Sequence, residues 1–261
     1  MLSWLRDDPQ GFLLFMLYRA PAILVALTVH EYAHGYAAYR AGDPTAKLMG
    51  RLSFNPLHHL DLWGTISMFL IGVGWAKPVP VNPRNFRNPR RDDLKVSLAG
   101  VTTNLILFLL SLLLSVAVGR FLYRPEAVAY IGHRDILGFN GNLFAMQLYP
   151  QYAKMLEPVV TSQPLLHIQR FLFQFQMVNL GLGLFNLMPL PPLDGFHVLN
   201  QTIFRGKLNI HGNAFRIAQM ALILLLLASQ YLGNAGNIFG IAIAWVQARA
   251  LDAVLLLTGL S

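Results

Sequence analysis

The sequence predicts an all-α polytopic membrane protein with a short membrane-associated strand or hairpin and a re-entrant segment, and three observations carry that prediction. Hydrophobic residues make up 55% of the 261 positions and charged residues only 12%, where soluble domains carry about a quarter; the mean hydropathy is +0.47. Several apolar runs are long enough to cross a bilayer. The basic residues gather in short segments between those runs, so the formal charge of +8 reads as topogenic and not as a nucleic-acid footprint. With no cysteine in the chain, disulfides and thiolate metal sites are excluded, and any metal must be held by His, Asp or Glu.

Residues 1–10 form a short lead in which Asp7 and Asp8 outweigh Arg6, without a clear small-residue cleavage signal, so the N-terminus reads as retained. Residues 11–40 are long enough to span, although Arg19 and Pro21 interrupt them, and the regular helix is expected to start at Pro21. Ala41-Gly42-Asp43-Pro44 ends that helix. Residues 47–57 alternate in part and predict a short strand or hairpin. Residues 60–75 are apolar but short and glycine-punctuated, which suits a re-entrant segment better than a span. Residues 77–95 carry six basic side chains against Asp92 and Asp93, the mark of a cytoplasmic loop.

Residues 96–118 predict a strong spanning helix with Gly100 and Asn104 one turn apart. Residues 120–164 read as an extracytoplasmic cap with interfacial helices. The next span, 165–187, runs into the proline-broken stretch Asn186-Leu187-Met188-Pro189-Leu190-Pro191-Pro192-Leu193-Asp194-Gly195. Residues 196–212 are a mixed connection. Two further apolar runs, 214–232 and 238–257, flank a Gly/Asn turn and form a C-terminal helical hairpin over 213–257. If the 77–95 loop is cytoplasmic and 60–75 makes no net crossing, the first helix and the 165–187 span both deliver their C-terminal ends toward the cytoplasmic face.

His30-Glu31-Tyr32-Ala33-His34 stands near the C-terminal end of the first apolar run. On a helix the two histidines share one face, where neutral imidazoles can bind a metal while the glutamate handles protons. Two histidines and a glutamate within a span are costly unless paired or ligated. For a third ligand the sequence offers Asp194, Asp61, Glu126, Glu157, His167, His58, His59 and His197. Glu126, Glu157 and His167 fall in or beside the segment expected outside. His58 and His59 suit an interfacial turn, and Asp61 a helix N-cap. Asp194 is the strongest candidate, because it follows a proline-broken span at matching depth and Gly195 permits close backbone approach; His197 stands as the fallback. Asn186 can donate to a developing oxyanion. Asn104, Asn179, Pro189 and Pro192 are candidates for substrate contact or support.

In the His30–His34 motif, the Gly100-Val101-Thr102-Thr103-Asn104 element, the Asn186 to Gly195 run and the Trp75 to Pro83 loop, the chain resembles the site-2 protease family of intramembrane zinc metalloproteases, in its compact prokaryotic form without PDZ or CBS domains. One departure is Val101, where the family commonly has proline. The resemblance implies a single membrane-embedded protease domain over 1–261 with a three-helix catalytic core within about 11–212. It implies one zinc ion held by His30, His34 and Asp194, with Glu31 as general base and Asn186 as oxyanion donor. The partners implied are transmembrane protein substrates and the lipid bilayer, with no nucleic acid; the place is the cell membrane, with the site toward the cytoplasm. Two other readings stand beside this one: a metal-ion transporter using the same ligands, and an inactive relative that binds clients without cleaving them.

Overall fold

The computed structural model describes residues 2–71, 75–140, 142–149, 152–208 and 238–260, with scattered positions between 213 and 224. Helix α1 (Pro9–Ala41) starts where Asp8 caps it: the Asp8 Oδ1 accepts the Gly11 N–H at 2.9 Å, and Pro9 takes the first helical position, whose N–H has no partner anyway. The helix continues through Pro21, contrary to the expectation that it begins there. It stops at Gly42, which adopts φ 109°, with the Asp43 N–H returning to the Ala38 carbonyl at 2.9 Å.

The expected strand or hairpin at 47–57 is not there, and among the described residues no strand is formed. A helical turn, Thr45–Leu48, is followed by Gly50 at φ 66° and by a 3₁₀ turn, Pro56–His58, capped by Asn55. The partial alternation loses to local turn chemistry: the Asn55 Oδ1 accepts the Leu57 N–H at 3.1 Å, and Ser53 accepts from the Asn55 N–H. Helix α2 (Leu62–Ile71) begins at Asp61, whose Oδ1 accepts the Gly64 N–H at 2.8 Å, as expected of an N-cap. At 10 residues it extends about 15 Å, half the hydrocarbon thickness of a bilayer. Leu60 and Ala76 form an antiparallel bridge and the Lys77 N–H donates to the His59 carbonyl at 2.9 Å. The two ends of the segment are thus pinned together, which is what a stretch with no net crossing requires.

Helix α3 (Pro89–Leu122) contains the expected 96–118 span and starts with Pro89 after Asn88. Short helices follow at Pro125–Ile131, His133–Leu137, Asn142–Leu148 and Ala153–Leu156. Helix α4 (Gln163–Asn186) leads through the Pro189–Pro192 turn to α5 (Asp194–Thr202), and α6 (Ile238–Thr258) ends the described chain. The expected run 214–232 and the turn after it fall largely outside the described residues.

Among the described residues three helices are long and apolar enough to cross a membrane: α1, α3 and Phe239–Thr258 within α6. Helix α4 has the length but not the composition, because Gln169, Arg170, Gln174, Gln176 and Asn179 interrupt it. All five are buried in the protein, so the apolar surface a span needs is confined to the helix's other positions.

By contacts the chain forms two compact units, one of residues 1–23, 106–180 and 238–261, the other of 24–105 and 181–237. In the first, Phe108, Leu112, Leu137, Leu166, Phe173 and Leu251 are fully buried. In the second, Ala38, Ala41, Phe86 and Val96 pack together, small residues on α1 letting neighbouring backbone come close. Every residue that meets at the candidate site belongs to this second unit.

Candidate metal centre

Helix α1 places His30 and His34 four residues apart, and their Nε2 atoms stand 2.9 Å from each other. Asp194, the first residue of α5, sends its Oδ2 to 3.4 Å from the His30 Nε2 and 3.2 Å from the His34 Nε2. These three residues form the one group of metal-type ligands found among the described residues. The far ring nitrogens are both occupied by α3: the His30 Nδ1 meets the Asn104 Oδ1 at 2.5 Å, and the His34 Nδ1 meets the Val96 carbonyl at 2.8 Å. Both partners are acceptors, so each Nδ1 carries a proton, and in the neutral imidazole this leaves the Nε2 as a lone pair.

In that neutral state three lone-pair atoms converge, and the Asp194 Oδ2 is buried without a hydrogen-bond partner. Such a triangle is repulsive unless a cation or a shared proton sits against it. Its edges of 2.9, 3.2 and 3.4 Å lie close to the ~3.3 Å separation of donors about 2.0–2.1 Å from one tetrahedral ion. A donor set of two imidazoles and one carboxylate suits zinc, which commonly takes three protein ligands and keeps a fourth position open.

Glycine makes the approach possible at two places. A Cβ built on Gly100 would stand 2.5 Å from the His34 Nε2 and 2.6 Å from the His30 Cε1, so α3 can lie against the imidazoles only without a side chain there. A Cβ on Gly195 would meet the Leu187 carbonyl oxygen at 2.2 Å, so glycine lets the start of α5 sit on the proline-broken turn and bring Asp194 to the histidines.

Glu31 is held from another side: its Oε2 accepts the Val79 N–H at 2.8 Å, from the extended segment between Pro78 and Pro80. Pro78 and Pro80 have no N–H of their own, so the Val79 amide is the donor this stretch offers. No side-chain pattern announces either this amide or the Val96 carbonyl. The paired prolines were the available sign of an extended chain.

Several other candidates are used elsewhere. The His197 Nδ1 lies 3.6 Å from the Asp93 Oδ2 on α3 and takes no place in the ligand group, so the fallback ligand is not needed. His58 and His59 bond the Gly50 and Ser53 carbonyls and fold the turn before α2. His167 pairs with the Tyr18 hydroxyl, and Glu126 and Glu157 are exposed in the other unit. Asn179, also in that unit, donates to the Phe175 carbonyl of its own helix at 2.9 Å. The Asn186 Nδ2 donates to Leu182 at 3.1 Å, again within α4. Pro189 and Pro192 line the turn that presents Asp194.

Residues 18–229 match the model of Peptidase family M50. The chain is 38% identical over 189 residues to "Putative zinc metalloprotease YwhC" of Bacillus subtilis, covering 72% of this chain and 70% of that protein. It is 30% identical over 194 residues to "Putative zinc metalloprotease Rip2" of Mycobacterium tuberculosis, covering 68% and 73%. No solved structure matches the chain. The matched stretch contains both histidines, the glutamate between them and the aspartate that meets them from far along the chain. A converging His-His-Asp triangle inside an apolar helical protein, together with these similarities, places the chain in peptidase family M50, the site-2 protease family.

Proposed function

We propose that this protein is an intramembrane zinc endopeptidase that hydrolyses peptide bonds within or near transmembrane helices of other membrane proteins, as in regulated intramembrane proteolysis. The observation that carries the reading is the acid beside the ligand triangle: Glu31 follows His30 directly on α1, and its carboxylate is held by the Val79 amide. A transport site needs ligands but not a proton acceptor in that position.

Zinc would be held by the His30 Nε2, the His34 Nε2 and the Asp194 Oδ2, and would supply Lewis-acid activation of water at neutral pH. Glu31 accepts a proton from the attacking water and returns it to the leaving amine. The Val96 carbonyl keeps the His34 imidazole in the tautomer that presents Nε2. Asn186 is the oxyanion donor: one N–H of its amide goes to Leu182, and the other remains for a developing negative charge. The substrate helix unwinds to expose the bond, and carbonyls of the Pro189–Pro192 turn other than that of Leu190, which takes the Leu193 N–H at 2.8 Å, are acceptors for the unwound chain.

The active site faces the cytoplasm in this reading. Its support is the basic character of 77–95 and of Arg205 and Lys207, together with the pinned ends of the α2 segment. The test is cleavage of a transmembrane peptide by the reconstituted protein beside Glu31→Gln. Zinc stays bound in the variant while cleavage falls by about 10²–10⁴-fold. Equal cleavage by both forms refutes the role of Glu31, and an unmodified protein that binds zinc but cleaves nothing refutes the protease.

A further inference from the structure

Positions 93, 96, 100 and 104 of α3 recur at intervals of three and four and so form one stripe. Along that stripe the Asp93 carboxylate faces His197, the Val96 carbonyl takes His34, Gly100 lies against both ligand rings, and Asn104 takes His30. Val96 acts through its backbone and Gly100 through the lack of a side chain, which leaves Asn104 as the side chain of the stripe that touches a ligand. It is fully buried. Its two ends do different things: the Oδ1 receives the His30 Nδ1–H at 2.5 Å, while the Nδ2 donates to the Ala26 carbonyl at 3.3 Å. Ala26 lies one turn before His30 on α1, so a single amide grips both the ring and the helical turn that carries it.

We propose that Asn104 is the positioning residue of the metal centre, fixing the tautomer and the plane of the His30 ring so that its Nε2 points at the ligand triangle. The inference rests on the metal-centre reading given above. An amide suits the task better than other polar groups. Its oxygen only accepts, which forces the proton onto Nδ1 and clears Nε2. Its nitrogen only donates, which orients the oxygen without any choice of rotamer. A hydroxyl could serve as donor or acceptor and would leave the tautomer open. His34 receives the same instruction from a backbone carbonyl, which no substitution removes. The two ligands therefore differ in how they respond to mutation, and the sensitive one is His30.

The experiment measures the zinc dissociation constant of the full protein in detergent by competition with a chromogenic chelator, and the visible spectrum of the cobalt-loaded form, for the unmodified chain, Asn104→Ala and Asn104→Asp. Asn104→Ala is expected to weaken zinc by about 10–100-fold and to alter the cobalt spectrum. Asn104→Asp keeps the acceptor oxygen and loses the donor to Ala26; zinc affinity is expected to stay within about threefold of the unmodified chain, with the cobalt spectrum retained. A residue that merely braced the two helices would behave in the opposite way, Asn104→Asp failing along with Asn104→Ala. Unchanged zinc affinity in Asn104→Ala, or equal loss in both variants, overturns the inference. If Asn104→Ala does not fold, the aspartate variant against the unmodified chain decides alone. An unmodified protein that binds no zinc refutes the metal centre itself, an outcome distinct from any of these.

Discussion

Gly100→Ala is the sharpest test of how the metal centre is packed, because one methyl group must find room where none exists. The added Cβ would lie 2.5 Å from the His34 Nε2 and 2.6 Å from the His30 Cε1, against an ordinary contact distance of 3.4 Å or more. The rings must retreat by about 0.9 Å, and they are tied on the side facing α3. Retreat straight away from that helix would stretch the 2.8 Å bond from the His34 Nδ1 to Val96 to about 3.7 Å, beyond hydrogen-bond range. Overpacking of this kind costs about 1–3 kcal/mol, whereas alanine in a helix interior gains roughly 0.5–1 kcal/mol over glycine. The two effects act on different observables. The melting temperature of the metal-free protein should change little, while zinc, which needs both rings in place, should bind about 5- to 150-fold more weakly. Chelator competition for affinity and differential scanning fluorimetry for stability, on the same preparations, separate them. Gly100→Ala with unchanged zinc affinity would refute the close packing of α3 on the histidines.

Three further outcomes follow from other parts of the site. Val79→Pro removes the N–H that holds Glu31, and cleavage should fall by about 10-fold or more with zinc still bound, while Val79→Ala, which keeps the amide, should cleave normally; equal rates for the two variants would exclude the backbone bond. Asp43 is buried at the end of α1 and accepts from the Asn82 N–H at 2.7 Å, the Thr45 hydroxyl at 2.5 Å and the Asn85 amide at 2.8 Å. Asp43→Asn leaves those donors facing an amide, and a loss of about 1–3 kcal/mol is expected by thermal melting. Burial alone would raise the Asp43 pKa, but the hydrogen bonds from Asn82, Thr45 and Asn85 outweigh it and hold the carboxyl below its ordinary range. A depressed folded pKa means that this contribution is present above the unfolded value of about 3.9 and disappears as pH falls through the folded one. The unmodified protein should therefore lose stability relative to Asp43→Asn on acidification below about pH 4, and parallel pH profiles would contradict the network.

The parts of this protein that were legible in the sequence are those in which a side chain does the deciding. Long apolar runs marked α1, α3 and α6, because a soluble fold seldom sustains such hydropathy over twenty or more residues. That His30, His34 and Asp194 come together was legible because metal chemistry admits few residue types, and a cysteine-free chain narrows them further. The 47–57 strand failed for the converse reason: over so short a stretch a partial alternation competes with Asn55 and Ser53 bonding their own neighbours, and the local bonds win. Helix α4 shows a third case. Its composition falls short of a span because its glutamines and Arg170 are buried within the protein, a fact about its neighbours and not about itself.

What the sequence could not express is the backbone's share of the site. The proton on the His34 Nδ1 is set by the Val96 carbonyl and the carboxylate of Glu31 by the Val79 amide; every residue has such a carbonyl, and every residue but proline such an amide. Only their placement makes them specific, and that placement is produced by features which do leave a trace: glycine at 100, where α3 must touch imidazole, and prolines at 78 and 80, where the chain must stay extended. The same logic separates the two ligands on α1. His34 takes its orientation from a carbonyl that mutation cannot delete, so its geometry is robust; His30 takes its orientation from the Asn104 side chain, so its geometry can be edited. If the centre is to be tuned without losing a ligand, Asn104 is the position at which one substitution changes the ring and leaves the metal-binding atoms in place.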